Sequence, residues 1–320
     1  MKRAFVSPLK SDLTAFLSYK RALGLRYARQ EESLRHFDRY VRRVHSHCSH
    51  RPDLRALIQG WLAQGQGRKP GSVALELKLI RQFCLFRRRR DPGGFVPDRG
   101  CFPWRAKSDF VPHIFSLKEI RLLLRHIDRA PGTTLQRLSG RLLLLVLYCT
   151  GLRFGEAARL KLADLDLDRR LLWIRESKGR TRLVPFGSDL AREFRSYLSC
   201  RGFSTLSAQD PLILSFQRKR YSSDRISRII RGWLRKTDLK TNHGRVGPRP
   251  YDIRHTFAVH RLSRWYRRGV TVCGRLPWLS IYMGHANILG TEIYLTTTPE
   301  VQGLVSRRFE ALFRKRRTKL

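Results

Sequence analysis

Acidic residues are scarce in this 320-residue chain: 25 Asp and Glu stand against 66 Lys and Arg, a formal net charge of +41. A compact fold with that excess repels itself, so the imbalance points to an anionic partner. Phosphates attract Lys and Arg whatever the base sequence, which makes nucleic acid the leading candidate. A ribosomal or other structural basic protein is the plainer alternative, but such chains are usually shorter and less apolar than this one, at 42% hydrophobic. Long apolar runs are also missing. None reaches the ~18 residues of a spanning helix, and the longest, Leu142 to Cys149, suits a buried helix. No membrane partner is expected. Met1-Lys2-Arg3-Ala4-Phe5 is followed by no apolar stretch of the secretory kind, so no signal peptide is expected. Paired cysteines are a third absence. Cys48, Cys84, Cys101, Cys149, Cys200 and Cys273 are scattered, and read as free thiols in a reducing cytoplasm. There is no internal repeat and no P-loop.

What is present predicts a mainly α fold with a small antiparallel β-sheet, in two domains. Residues 1–97 read as four helices. Leu13, Phe16 and Leu17 carry helical spacing, as do Leu34, Phe37, Val41 and Val44, and again Leu54, Leu57, Ile58, Trp61 and Leu62. A fourth helix from about Ser72 ends in Arg87-Arg88-Arg89-Arg90 before Pro92, Gly93 and Gly94 stop it. The arginine run is either a solvated face or a phosphate contact. Residues 98–115, with Pro103 and Pro112, read as a linker, and 116–320 as a second domain. That domain opens at Ser116-Leu117-Lys118-Glu119, which has the form of a capping box. A buried helix covers Leu138 to Tyr148 and another begins near Arg153. Leu171-Leu172-Trp173-Ile174, a turn at Lys178-Gly179-Arg180 and Leu183-Val184-Pro185-Phe186 predict a hairpin. Helices are expected at about 188–200, 222–236, 253–267 and 299–315.

Two groupings imitate metal sites. His45, His47, Cys48 and His50 crowd together, but structural zinc draws ligand pairs from separated segments, and no second pair is evident. Asp164, Asp166 and Asp168 imitate the start of a calcium loop, yet the sixth position is Arg169 where Gly is required and the twelfth is Arg175 where Glu is required. A polar loop and a turn account for them, and no metal is expected.

Four segments suit chemistry. In Thr150-Gly151-Leu152-Arg153-Phe154-Gly155-Glu156, a glycine turn opens a helix, with Arg153 in its first turn and Glu156 one turn later on the same face. An arginine directly behind a buried apolar helix needs a reason to be there. Lys178 is the only lysine of the hairpin, at a tip that can reach a DNA groove. Tyr251-Asp252-Ile253-Arg254-His255-Thr256-Phe257-Ala258 puts Arg254 and His255 at a helix start. Met283-Gly284-His285 is followed, nine residues beyond His285, by Tyr294.

In this order, over about 145 residues, these segments resemble the tyrosine recombinase (phage integrase) family: an Arg in a T-G-L-R turn, a hairpin Lys, an R-H-T-F box, a G-H pair and a Tyr shortly after. The resemblance covers the whole second domain, and the helical first domain is similar to the family's core-binding domain. Leu276-Pro277-Trp278-Leu279-Ser280 and the Tyr251–Ala258 box look most like the transposon-borne branch whose recombinases come in sets of three. The resemblance implies that Tyr294 is the nucleophile, that Arg153 and Arg254 bind the non-bridging oxygens of the scissile phosphate with help from His285, that Lys178 protonates the leaving 5′ oxygen, and that Glu156 steadies the Arg153 helix.

The chemistry calls for these residue types. A phosphodiester under attack gains negative charge, and paired guanidiniums offer planar, permanently charged donors to it. A tyrosine of pKa ~10 is a poor nucleophile until cations or a base help remove its proton. The phosphotyrosyl ester conserves the broken bond's energy, so no cofactor and no ATP is implied. Tyr251 departs from the family, which often has His three residues before the second arginine. Tyr251 would then hydrogen-bond the phosphate, leaving the proton to His255 or His285. The expected partner is double-stranded DNA, clasped by both domains. A homotetramer, or a mixed tetramer with sister recombinases, is implied on DNA. Phe309, Leu312 and Phe313 form one stripe of a last helix that docks on a neighbouring protomer or on its own domain. The competing readings are a type IB topoisomerase that relaxes DNA and a non-catalytic DNA-binding accessory protein.

Overall fold

The computed structural model describes residues 4–45, 53–64, 70–98, 100, 111–177, 180–202, 207–241, 247–285, 287–296, 303, 306 and 310. They fall into two compact units, Met1–Phe110 and Val111–Leu320.

The first unit contains α1 (Lys10–Ala22), α2 (Ala28–His45), α3 (Leu54–Ala63) and α4 (Pro70–Arg88). Its core is assembled from the apolar stripes read in the sequence for the first three helices, joined by a further buried stripe on α4. Leu13 and Phe16 of α1, Leu34 and Phe37 of α2, Leu57 and Ile58 of α3, and Leu77, Ile80 and Phe83 of α4 are all buried. Phe16 and Phe83 meet edge to face with centroids 5.7 Å apart. Val44, expected in the α2 stripe, is exposed in the last turn of the helix. Asp38 is buried and accepts from the backbone N–H groups of Val6 (2.8 Å) and Ser7 (3.0 Å), which ties the leading segment to α2.

The second unit contains α5 (Leu117–Asp128), α6 (Thr134–Thr150), α7 (Phe154–Arg159), β1 (Leu165–Asp166), β2 (Leu171–Ser177), β3 (Arg180–Pro185), α8 (Ser188–Arg201), α9 (Ser223–Lys236), α10 (Asp252–Arg267), α11 (Leu276–Met283) and α12 (Leu289–Thr296). The capping box at α5 is present: Ser116 Oγ accepts from Glu119 N at 3.2 Å and Glu119 Oε2 from Ser116 N at 2.7 Å. The apolar run of α6 packs against α5, α8 and α10, with Leu142, Leu143, Leu144, Val146 and Leu147 buried. Among the described residues the sheet is β1-β2-β3, antiparallel throughout. Its register pairs Leu172 with Val184 on the buried face and Trp173 with Leu183 on the exposed one. A smaller apolar cluster joins α10, α11 and α12 through Phe257, Leu262, Leu276, Leu279, Met283 and Tyr294.

Residues 111–115, read in the sequence as the end of a linker, run against this second unit. Phe115 is fully buried and its N–H donates to Thr256 Oγ1 at 3.0 Å. The short α11 and α12 and the two-residue β1 were not anticipated, because each carries too few residues to show a period. The aspartates that imitated a calcium loop hold the turn before β2: Asp164 pairs with Arg175 at 2.6 Å and Asp166 accepts from Arg169 N at 2.8 Å. Among the described residues there is no cluster of His, Cys, Asp and Glu fit for a metal, and no helix long and apolar enough to cross a membrane. His47, Cys48, His50 and the expected stripe Phe309, Leu312 and Phe313 lie outside the described residues.

Candidate active site

The site forms where the ends of α6 and α11 meet the starts of α7 and α10. α6 and α11 each stop at a left-handed glycine, Gly151 (φ 62°) and Gly284 (φ 68°), a backbone that side chains with a Cβ rarely adopt. Both positions are also crowded. A Cβ on Gly151 would lie 2.4 Å from the Phe257 ring, and one on Gly284 would lie 2.6 Å from Arg182 Nη1.

The turn at Gly151 delivers Arg153 as the N-cap of α7, one position earlier than the first-turn placement expected from the sequence. Glu156 then sits at the third helical position and accepts from Arg153 N at 2.9 Å. Its Oε1 also accepts from Arg153 Nη1 at 2.9 Å. Arg254 enters in the first turn of α10 and is fully buried. It donates from Nη1 to Gly151 O at 2.5 Å and from Nη2 to Met283 O at 2.7 Å. Arg153 Nη2 donates to Gly284 O at 2.6 Å. The carbonyls that no longer have a partner within their helices therefore orient both arginines, and the negative end of each helix dipole favours the cations there.

These bonds do not exhaust the guanidiniums. An arginine has five N–H donors, and the buried Nε of Arg254 has no partner. Burial pulls the Arg254 pKa down, the neighbouring Arg153 adds to that, and Tyr251, Tyr294 and Glu156 oppose it. Two close guanidiniums with donors to spare form a site for an anion.

Tyr294 comes from α12 and is 3% exposed. Burial pushes its phenol up to about 12, while Arg254 and Arg153, and a hydrogen bond from Arg254, work the other way. Around it the aromatic rings form a row: Tyr251 lies 5.5 Å from His255, His255 lies 5.4 Å from Tyr294, and Tyr294 lies 6.3 Å from His285. Burial lowers His255 to about 4, with Arg254 and Arg249 adding to the shift, so its ring is neutral at neutral pH. Its Nδ1 is buried without a partner. His285 is fixed by Nδ1 against Thr291 Oγ1 at 2.7 Å. Tyr251 caps the row, 40% exposed, with its ring edge-on to Phe154.

Six of the residues singled out from the sequence thus share one site: Arg153, Glu156, Arg254, His255, His285 and Tyr294. Tyr251 stands at its rim. Lys178 lies outside the described residues. The Arg87–Arg90 run is elsewhere, at the end of α4, and its members differ. Arg87 pairs with Asp12 at 2.7 Å. Arg88 Nε donates to Pro92 O at 3.1 Å, and Arg89 stacks over Tyr19 at 5.0 Å. Arg88, Arg89 and Arg90 are exposed, while Arg87 is half-buried.

One residue of the site was missed. Arg182 of β3 makes a two-pronged ion pair with Glu156, Nη1 to Oε1 at 3.0 Å and Nη2 to Oε2 at 2.9 Å. Its Nε donates to Tyr282 O at 2.8 Å. Its one sequence signal is register: it stands two residues before Val184, hence on the same, buried face of the strand.

Comparison with known proteins bears on the family and the fold. A model of the phage integrase family matches residues 114–300. A Sinorhizobium fredii protein, y4rB, named as an integrase/recombinase, is 30% identical over 95% of this chain and 98% of its own length. The tyrosine recombinase XerA of Thermococcus kodakarensis is 33% identical over 59% of this chain and 60% of its own. Among solved structures, XerH bound to its palindromic difH substrate superposes with a TM-score of 0.66 at 15% identity, covering 88% of this chain and 78% of that one. The Tn1549 transposon integrase bound to transposon end DNA gives 0.64 at 15% identity, covering 93% and 99%. Those two likenesses establish the fold.

Proposed function

The chain belongs to the phage integrase family of tyrosine recombinases, enzymes that cleave and rejoin DNA through a tyrosine intermediate, and we propose that Tyr294 is the residue that bonds to DNA. The observation that carries this reading is the placement of one buried phenol beside Arg153 and Arg254, both held by helix-end carbonyls with N–H groups to spare. Such a site suits a tetrahedral phosphate that gains charge as it reacts, and donors fixed in advance act on it without reorganisation.

The steps follow from the chemistry. Arg153 and Arg254 take the non-bridging oxygens of one phosphodiester. Tyr294 Oη bonds to phosphorus, the bond from phosphorus to the 5′ oxygen breaks, and the strand ends as a 3′-phosphotyrosine and a 5′ hydroxyl. Lys178 gives the departing oxygen its proton. His285 joins the arginines through Nε2, because Nδ1 is engaged by Thr291. His255, neutral and with its ring beside the phenol, takes the tyrosine proton, and the bound phosphate raises its basicity as this happens. Rejoining reverses each step with the 5′ hydroxyl as nucleophile. The reaction conserves its ester bond and uses no cofactor.

The partner is double-stranded DNA of a mobile element or its target in the bacterial cytoplasm, and exchange between two duplexes uses four protomers, of this chain alone or with sister recombinases. The exposed Arg88, Arg89 and Arg90 add phosphate contacts at the edge of the first unit. A duplex nicked just past the scissile phosphate tests the central assignment, because the short 5′ fragment diffuses away and the covalent complex persists. Wild-type protein accumulates as an adduct whose DNA-bearing peptide contains Tyr294. Tyr294→Phe binds the same DNA and forms none. An adduct with Tyr294→Phe removes the assignment and directs the search to Tyr282 or Tyr251.

A further inference from the structure

Three consecutive carbonyls at the end of α11 each accept from a different arginine: Tyr282 O from Arg182, Met283 O from Arg254 and Gly284 O from Arg153. Two of these arginines are the proposed phosphate ligands. The third has a different hydrogen-bond inventory. Arg182 commits Nε, Nη1 and Nη2 to acceptors inside the protein, and its side chain is 9% exposed. It is the one that grips Glu156 with both prongs, and Glu156, 1% exposed, is in turn the carboxylate that holds Arg153 by backbone and side chain.

We propose that Arg182 is a positioning residue that bolts the end of α11 to Glu156, so that Arg153, Arg254 and His285 keep one register around the phosphate. This rests on the assignment of Arg153 and Arg254 given above. Arg182 links three separate pieces of chain: β3, which carries it; the start of α7 through Glu156; and the end of α11 through Tyr282 O. His285 is the residue after the glycine that ends α11, so any drift of that end moves the histidine and two arginine anchors together. Gly284 is part of the same device, since its missing side chain makes room for the Arg182 guanidinium. A planar fork suits this place. Lysine has one ammonium and cannot satisfy both carboxylate oxygens and a carbonyl in one fixed geometry.

The test uses the full-length chain on the nicked duplex, measuring DNA affinity across a salt series and the single-turnover cleavage rate at saturating protein. Arg182→Met is expected to cleave on the order of 10- to 100-fold more slowly, the range expected when reacting groups are misplaced by about an ångström. The dependence of log affinity on log salt is expected to keep its slope. A direct phosphate contact would lower that slope by about 0.9. Arg182→Lys is expected to recover part of the rate. Because part of the effect of Arg182 runs through Glu156 to Arg153, adding Arg182→Met to Arg153→Lys is expected to slow cleavage less than it slows the wild type. Cleavage by Arg182→Met at the wild-type rate, a slope lower by about one, or fully additive losses in the double variant would each overturn the proposal. Should Arg182→Met not fold, Arg182→Lys decides: slower cleavage with unchanged slope supports it and a wild-type rate overturns it. Failure of the underlying assignment looks different, because Arg153→Lys would then cleave normally by itself.

Discussion

Gly284→Ala separates the cost of a strained backbone from the cost of displaced arginines. The glycine sits at φ 68°, where an L residue costs roughly 1–2 kcal/mol. For a unit the size of Val111–Leu320 that corresponds to a melting point lower by roughly 2–8 °C. The new methyl also has neighbours. It would stand 2.6 Å from Arg182 Nη1, 2.8 Å from Arg182 Cζ and 3.2 Å from Arg153 Nη1, against 3.4 Å for an ordinary contact. About 0.8 Å must therefore be found at Arg182, which is held at three atoms and cannot swing away alone. Either the guanidinium moves and drags Glu156 and Arg153 with it, or the end of α11 moves and takes His285. A displacement of that size at reacting groups costs on the order of 100-fold in rate. Gly269→Ala is the control. Gly269 has nearly the same backbone, φ 71°, and a Cβ there meets nothing within 4 Å. Gly284→Ala should lose at least as much stability as Gly269→Ala in a thermal melt, and only Gly284→Ala should lose single-turnover cleavage of the nicked duplex. Cleavage by Gly284→Ala within threefold of Gly269→Ala would refute the reasoning, because the arginines would then tolerate the displacement.

Arg153→Ala and Arg254→Ala should each reduce cleavage by orders of magnitude, since removing one transition-state donor typically costs ~3 kcal/mol or more; a near-normal covalent yield from either means that arginine is not a phosphate ligand. Tyr251→Phe should lose a moderate factor in cleavage and Tyr251→His should stay active, as measured on the same substrate; a Tyr251→Phe enzyme equal to wild type would make the phenol hydroxyl irrelevant to the phosphate. His255, lowered to about 4 in the fold from an ordinary 6.5, should make the protein less stable in mild acid. Its contribution is complete above pH 6.5 and is lost as the pH falls toward 4, because the unfolded chain takes up the proton first. Denaturant melts of wild type and His255→Asn across that window should converge at low pH relative to their separation at neutral pH, and parallel curves would show that His255 does not titrate there.

The parts of this molecule legible from its sequence are those whose cause is local. Leu13, Phe16 and Leu17 announce a helix and its buried face because the period is written in consecutive residues. Ser116 and Glu119 announce a helix start because the cap closes within four residues. The hairpin from Leu171 to Phe186 shows because two apolar runs flank a short polar turn. Arg153, Arg254, His285 and Tyr294 were singled out because a familiar order tied together four segments, each modest alone. Arg182 had no such tie. In a chain with 66 Lys and Arg, one more arginine on a strand carries no distinguishing mark. Its face is decided by Val184 being the buried partner of Leu172 while Leu183 and Trp173 point outward, and both faces of that hairpin are apolar in sequence. α11 and α12 were missed for the related reason that eight residues span barely two turns. Pro277 near the start of α11 and Gly284 after its end were the available punctuation.

What the missed residue adds is an account of why the chain carries a buried carboxylate among so many arginines. Glu156 is bonded to Arg153 and Arg182 at once and is almost fully buried. Removing one partner of such a group typically costs ~3–5 kcal/mol, because the remaining charge is left without compensation. The arrangement is therefore hard to dismantle piecemeal, and that rigidity has a chemical use. Three guanidiniums crowded together repel one another, and an anion that arrived among freely moving arginines would have to order them as it bound. Here the ordering is done in advance by groups that are part of the fold: one carboxylate and the carbonyl oxygens of Gly151, Tyr282, Met283 and Gly284. The repulsion is met by Glu156 and by two helix C-termini, so that under the proposed assignment a phosphate would meet guanidiniums that are already ordered. Substrate binding energy is then free to act on the transition state rather than on assembling the site.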